Sequence, residues 1–138
     1  MRVHICAVGR LRAGPERTLI DDYLTRFDRT GRVLGLGPAN LIEVEDKKGG
    51  GRVAEAALLS KAMPDGALIC VLDERGKLQS SPDFAQTLAG WRDQGRGDVA
   101  FVIGGADGID PNLRKSVPRR SLLARLIIAS RGSRAVGV

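Results

Sequence analysis

Imidazole is almost missing from this chain: His4 is the one histidine in 138 residues. That shortage argues against His-rich metal centres and against a Ser-His-Asp relay. Only two cysteines occur, Cys6 and Cys70, each inside a short apolar run. They form neither a Cys-x-x-Cys pair nor a disulfide framework, and read as small hydrophobes in strands. Aromatics are also scarce, namely Tyr23, Phe27, Phe84, Trp91 and Phe101. Several fall on helical faces, so a base-stacking platform is not expected. No apolar run nears the ~20 residues of a membrane helix. The opening Met1-Arg2-Val3-His4-Ile5-Cys6-Ala7-Val8 is too short in its apolar stretch for a secretory signal. The expectation is a soluble, cytoplasmic protein that uses no membrane and no metal.

Acidic residues are missing from one end. Residues 1–110 carry 15 Lys/Arg against 16 Asp/Glu, whereas residues 111–138 carry seven Lys/Arg and no acid. The formal net charge of +6 therefore comes from Arg114, Lys115, Arg119, Arg120, Arg125, Arg131 and Arg134. Such a block can neutralise phosphates and release counterions, which makes nucleic acid a natural partner. A solvated basic tail explains the same composition.

What remains is ordinary globular material, 43% hydrophobic and 28% charged. Val3 to Val8 reads as a buried strand ended by Gly9. Pro15 opens a helix whose Leu19, Ile20, Tyr23, Leu24 and Phe27 form one stripe toward a core. Leu41 to Glu45 is a second strand, and Lys47-Lys48-Gly49-Gly50-Gly51-Arg52 a mobile basic surface loop without the Gly-Lys-Ser/Thr of a P-loop. Val53 to Met63 reads as a helix stopped by Pro64-Asp65-Gly66. Ala67 to Leu72 is continuously apolar, as in a parallel sheet, and ends in a polar loop, Asp73 to Lys77. Ser81, as N-cap, then starts a helix with Phe84, Leu88 and Trp91 on one face. Val99 to Ile103 is another buried strand, and Asp110-Pro111 caps a last helix. Strands alternating with helices imply an α/β fold with a mainly parallel sheet flanked by helices.

Ligands of such sheets bind outside the carboxyl ends of strands. Two ends stand out, Leu72-Asp73-Glu74 and Ile103-Gly104-Gly105-Ala106-Asp107-Gly108. The glycines let backbone approach a ligand closely, and they also suit a plain tight turn. Their spacing is not Gly-x-Gly-x-x-Gly, so a dinucleotide fold is not indicated. Asp73 and Asp107 could pair for acid/base work, although loop aspartates are more often turn formers. His4 reads as a strand residue.

Four segments together resemble the RlmH family of SPOUT-class methyltransferases. They are the Met1 to Arg10 opening, Asp22-Tyr23-Leu24-x-Arg26-Phe27, Leu72-Asp73-Glu74-x-Gly76-Lys77 and Phe101-x-Ile103-Gly104-Gly105-Ala106-Asp107-Gly108. The resemblance runs in register over residues 1 to about 115. It implies a trefoil-knotted α/β homodimer that binds S-adenosylmethionine and methylates pseudouridine N3 in helix 69 of large-subunit ribosomal RNA. By matching positions it implies cofactor contacts from Leu72, Gly104 and Gly105; no catalytic residue is assigned.

Residues 116–138 depart from the family, which continues there with a Pro-His pair, a Glu-Gln-Leu-Tyr-Arg helix and a Tyr-His-Arg ending. Here no histidine follows His4, and the departing segment coincides with the acid-free block. A shifted reading frame or a truncated gene is expected to produce both features. Two regions follow, a methyltransferase-like domain over 1–115 and a divergent basic segment over 116–138. Ser121 to Ser130 offers a substitute apolar helix interrupted by Arg125. The departure implies exposed apolar surface on the sheet and earlier helices. The alternative function is an inactive relative that binds RNA or ribosomes through the basic segment.

Overall fold

A computed structural model describes residues 1–105, 108–115 and 122–127; over 74–77 and 122–127 it gives the strand path alone. Asp107 and the arginines at 119, 120, 131 and 134 lie outside the described residues. Five strands, β1 (Arg2–Val8), β2 (Ala39–Val44), β3 (Leu68–Ser80), β4 (Asp98–Ile103) and β5 (Leu122–Ile127), form one sheet in the order β2-β1-β4-β3-β5. All four strand pairs are parallel. The helices are α1 (Pro15–Gly31), α2 (Gly51–Ala62), α3 (Ser81–Asp93) and α4 (Pro111–Lys115). The expected α/β class with a parallel, helix-flanked sheet is what the chain adopts.

Parallel strands need crossovers, and these helices cover both faces of the sheet. On one face, α2 and α4 bring Leu59, Met63 and Leu113 onto Cys6, Val71, Ala100 and Val102. On the other, α1 and α3 bring Phe27, Phe84, Leu88 and Trp91 toward Val3, Cys70, Val99 and Phe101. The central strand β4 is therefore buried on both sides, which is why Val99 to Ile103 reads as an unbroken apolar run. Both cysteines are buried and free, and burial pushes the Cys70 thiol up to about 12. Phe84 and Phe101 pack with ring centroids 5.6 Å apart, inside the core.

Four local expectations need correction. First, β3 does not stop at Leu72 but runs to Ser80, with a register shift against β5 between Leu72 and Lys77. The polar run ends the apolar pattern, yet backbone pairing with β5 carries the strand on. Second, residues 122–127 are that edge strand rather than part of a helix. Third, the N-cap of α3 is Ser80, whose Oγ accepts the Asp83 N–H at 3.3 Å, not Ser81. Fourth, the α1 stripe is only partly core, because Leu19 and Tyr23 are 54% and 60% exposed while Ile20, Leu24 and Phe27 are half-buried. The helix rests on one edge of its stripe and overhangs the sheet with the other.

At the amino ends of β1 and β4, Asp98 joins the strands through side chains. Its carboxylate lies 2.9 Å from Arg2 Nε and 2.8 Å from His4 Nε2. His4 is thus a largely buried strand residue hydrogen-bonded to a carboxylate, at the opposite end of the sheet from the glycine loop. The His4 contact, reinforced by Arg2, holds the Asp98 carboxyl below its ordinary range.

Two outcomes follow from this packing. Leu59→Ala removes a side chain that is 2% exposed, and should cost about 2–5 kcal/mol in urea unfolding. A depressed carboxyl stabilises the fold above its unfolded pKa of about 3.9 and loses that contribution as pH falls through the lower folded value. Asp98→Asn should accordingly lower the urea midpoint near pH 7, with the difference from wild type shrinking below about pH 4. A difference independent of pH would contradict this.

Candidate functional site

The strand order reverses between β1 and β4: the chain leaves β1 outward to β2, and later returns to place β4 on the other side of β1. Such a switch point leaves a crevice at the carboxyl ends of the strands. The loops after Val8 and Ile103 meet there, since Ala7 and Ile103 are register partners. Leu72 is brought to the same edge as the partner of Ile103 across β3 and β4. The structure thus brings Leu72, within β3, beside the end of β4 from which Gly104 and Gly105 follow.

The glycine segment doubles back immediately. The Gly108 N–H donates to the Gly105 carbonyl at 3.0 Å, and Gly108 takes φ +81°. A Cβ on Gly104 would lie 2.8 Å from the Gly108 carbonyl carbon and oxygen and from Ile109 Cδ1. A Cβ on Gly105 would lie 3.1 Å from Val8 Cγ1 and from Glu55 Oε2. Glycine is needed at Gly104 because backbone already fills that space. The loop is anchored behind by buried Ile109 and Leu113 and by Asp110, whose Oδ1 accepts the Asn112 N–H at 3.0 Å and caps α4 as expected.

Asp73 does not stand in a loop poised for proton transfer. It lies within β3, 9% exposed, with Oδ2 3.2 Å from Arg114 Nη1 on α4. This largely buried ion pair ties the strand to the helix that follows the glycine loop. Its expected partner Asp107 lies outside the described residues.

Glu55 is a feature that the sequence did not flag. A lone glutamate in an Ala/Leu-rich helix carries no pattern. In the fold its carboxylate faces Gly105, and Oε2 is buried with no hydrogen-bond partner among the described residues. Burying a polar oxygen without a partner is costly, and this one lies beside the glycine loop.

A concavity of about 570 Å³ lies between α1 and α3 over the sheet. Its walls include Val3, Ile5, Phe27, Phe84, Phe101 and Ile103, with Leu72 at its carboxyl end. It offers few polar groups to orient a ligand; Leu72 lines it from the α1–α3 face, whereas the Glu55 carboxylate and Val8 approach Gly105 from the α2 face. Among the described residues no three His, Cys, Asp or Glu side chains converge as a metal site would require. No helix among them is long and apolar enough to cross a membrane.

Comparison with known proteins converges on one family. A family model described as "Predicted SPOUT methyltransferase" matches residues 1–131. The ribosomal RNA large subunit methyltransferase H of Ruegeria sp. (strain TM1040) is 80% identical over 114 residues, covering 83% of this chain and 73% of that protein. The protein of the same name from Roseobacter denitrificans is 69% identical over 127 residues, covering 92% and 81%. The one from Dinoroseobacter shibae is 60% identical over 147 aligned positions, covering 100% and 94%. That alignment is longer than the 138 residues here, so some of its positions have no counterpart in this chain.

Gly104→Ala should destabilise the protein by roughly 1–3 kcal/mol, because the clash is with backbone that has no rotamer to yield. Gly90→Ala, in α3 with open space around its Cβ position, should instead stabilise by about 0.5–1 kcal/mol. Thermal melts of the two variants check the contrast; equal shifts would refute the backbone clash.

Proposed function

This chain belongs to the SPOUT methyltransferase family, and from that premise we propose that it methylates large-subunit ribosomal RNA with S-adenosylmethionine. The target we assign is N3 of a pseudouridine in helix 69, following the family resemblance. The observation that carries the reading is the Gly104-Gly105 turn at the switch point, where backbone replaces side chains beside Leu72.

Leu72, Gly104 and Gly105 are assigned to hold the cofactor. The fit is chemically reasonable: apolar Leu72 can cover a purine face, and a glycine backbone can approach a ligand edge without a Cβ between them. Bound S-adenosylmethionine supplies an electrophilic methyl group on a sulfonium. The protein's part is to align the ring nitrogen with that methyl and to exclude competing geometries, which is the larger share of such catalysis. The ring nitrogen must also lose its proton, and no described residue is assigned as the base. Asp73 is engaged by Arg114.

A cytoplasmic, ribosome-associated homodimer is the working form that accompanies this reading. The apolar trough over the sheet, together with the exposed Leu19 and Tyr23 of α1, is consistent with further covering by protein. An RNA-binding remnant without transfer activity is not favoured, given 60% identity to a methyltransferase over the whole chain.

The test is calorimetric titration of S-adenosylmethionine into the folded protein, followed by transfer of labelled methyl to ribosomal particles. Saturable binding is expected, with Gly104→Val weakening it by at least about tenfold, or 1.4 kcal/mol. A folded sample that takes up no cofactor would overturn the proposal.

A further inference from the structure

Two loops flank the crevice on its β1–β2 side, and their charges are sorted. The loop after β1 carries Arg10 and Arg12; the segment after β2 carries Lys47, Lys48 and Arg52. The acids among them are turned to structural use. Glu43 accepts the Leu11 N–H through Oε2 and Arg17 Nη1 through Oε1 at 2.7 Å. The Leu11 N–H above all, with Arg17, holds its carboxyl below the usual range. Asp46 accepts the N–H groups of Lys48 at 3.1 Å and Gly50 at 2.5 Å. Arg10 has a loose, exposed partner, Glu45, at 3.6 Å.

The cations point the other way. Arg12, Lys47, Lys48 and Arg52 are all exposed, and none has an ion pair among the described residues. Five cations stand against three acids in these segments, and two of the acids, Glu43 and Asp46, accept backbone N–H groups, so the outer surface is basic. The two loops are held side by side, since the Gly9 N–H donates to the Val44 carbonyl at 2.8 Å. They also adjoin the glycine loop: Val8 and Glu55 both approach Gly105, and Arg52 lies one helical turn before Glu55.

We propose that this surface, with Arg12, Lys47, Lys48 and Arg52, seats the phosphate backbone of the RNA substrate beside the cofactor crevice. The proposal rests on the methyltransferase reading and relocates the main RNA contact from the basic C-terminal segment to the carboxyl edge of β1 and β2. A solvated basic face would need no internal scaffolding. Here Glu43 and Asp46 fix both loops, so the cations are presented on ordered backbone, which lowers the entropy lost when they grip phosphates.

The test measures binding of a synthetic RNA hairpin by fluorescence anisotropy between about 50 and 200 mM salt. It uses the full chain and the variant Arg12→Gln/Lys47→Gln/Lys48→Gln. Each phosphate contact contributes about 0.7–0.9 to the slope of log K against log salt, so the triple variant should be shallower by about 2–3. An equal-charge control, Arg29→Gln/Arg32→Gln/Lys61→Gln, should keep the wild-type slope. Both variants should retain the wild-type melt and cofactor heat. An unchanged slope in the loop variant, or an equal loss in the control, overturns the proposal. So does a wild-type protein that binds no RNA. The cofactor titration then shows independently whether the methyltransferase reading falls with it.

Discussion

The fold and its candidate site both depend on β4 lying between β1 and β3. Val99 and Phe101 of this strand belong to one core, and Ala100 and Val102 to the other, so a single strand closes both hydrophobic layers. Four consecutive residues at or below 8% exposure leave it no solvated face. The same insertion creates the switch point, because the strand added last to this part of the sheet separates β1 from β3. Burial thus determines where the glycine loop emerges, and the loop takes its position from packing that has no direct part in chemistry.

The two ends of the sheet have divided their tasks. At the amino end, Asp98 gathers Arg2 and His4 into contacts that join β1 to β4. At the carboxyl end, backbone crowding replaces side-chain pairing. Behind it, the Asp73–Arg114 pair connects β3 with α4. A largely buried ion pair offers little net stability over an apolar pair of the same shape, but breaking it leaves a stranded charge. Its value at this place is therefore geometric. It holds the helix that follows the glycine loop against the strand that carries Leu72.

Much of this was legible in the sequence, and for identifiable reasons. The first part of β3 and strand β4 announced themselves as unbroken apolar runs because they are covered on both faces. The family resemblance picked out Leu72, Gly104 and Gly105, which fall at the end of an apolar run and in a glycine cluster that leave marks in the chain. The second half of β3 left none: its pairing depends on β5, and Asp73 to Lys77 contains no apolar alternation. Ser80 and Ser81 are equivalent as letters, and only backbone geometry chooses the first as the cap. Leu19 and Tyr23 fit the helical stripe, yet periodicity cannot say how far a helix overhangs its sheet. Glu55 was invisible for a deeper reason, since its significance comes from Gly105, 50 residues away in the chain.

The state of the carboxylates bears on the chemistry that this edge can perform. Asp73 is engaged by Arg114, Asp110 caps α4, Glu43 holds Leu11 and Arg17, and Asp46 holds two loop amides. Each is committed to a partner that a mobile proton would disturb. Among these described acids the edge has built scaffolding rather than an acid/base pair. Glu55 differs, because one of its oxygens is buried beside Gly105 and accepts nothing from the described residues. A reaction that needs two ligands held in line, more than it needs protons shuttled, suits such an edge. Backbone at Gly104 and Gly105 provides close approach without a titrating group, and the outward cations can hold a polyanion without entering the crevice. Methyl transfer to RNA suits such a separation, with charge able to meet phosphates outside and close-packed backbone at Gly104 and Gly105 within.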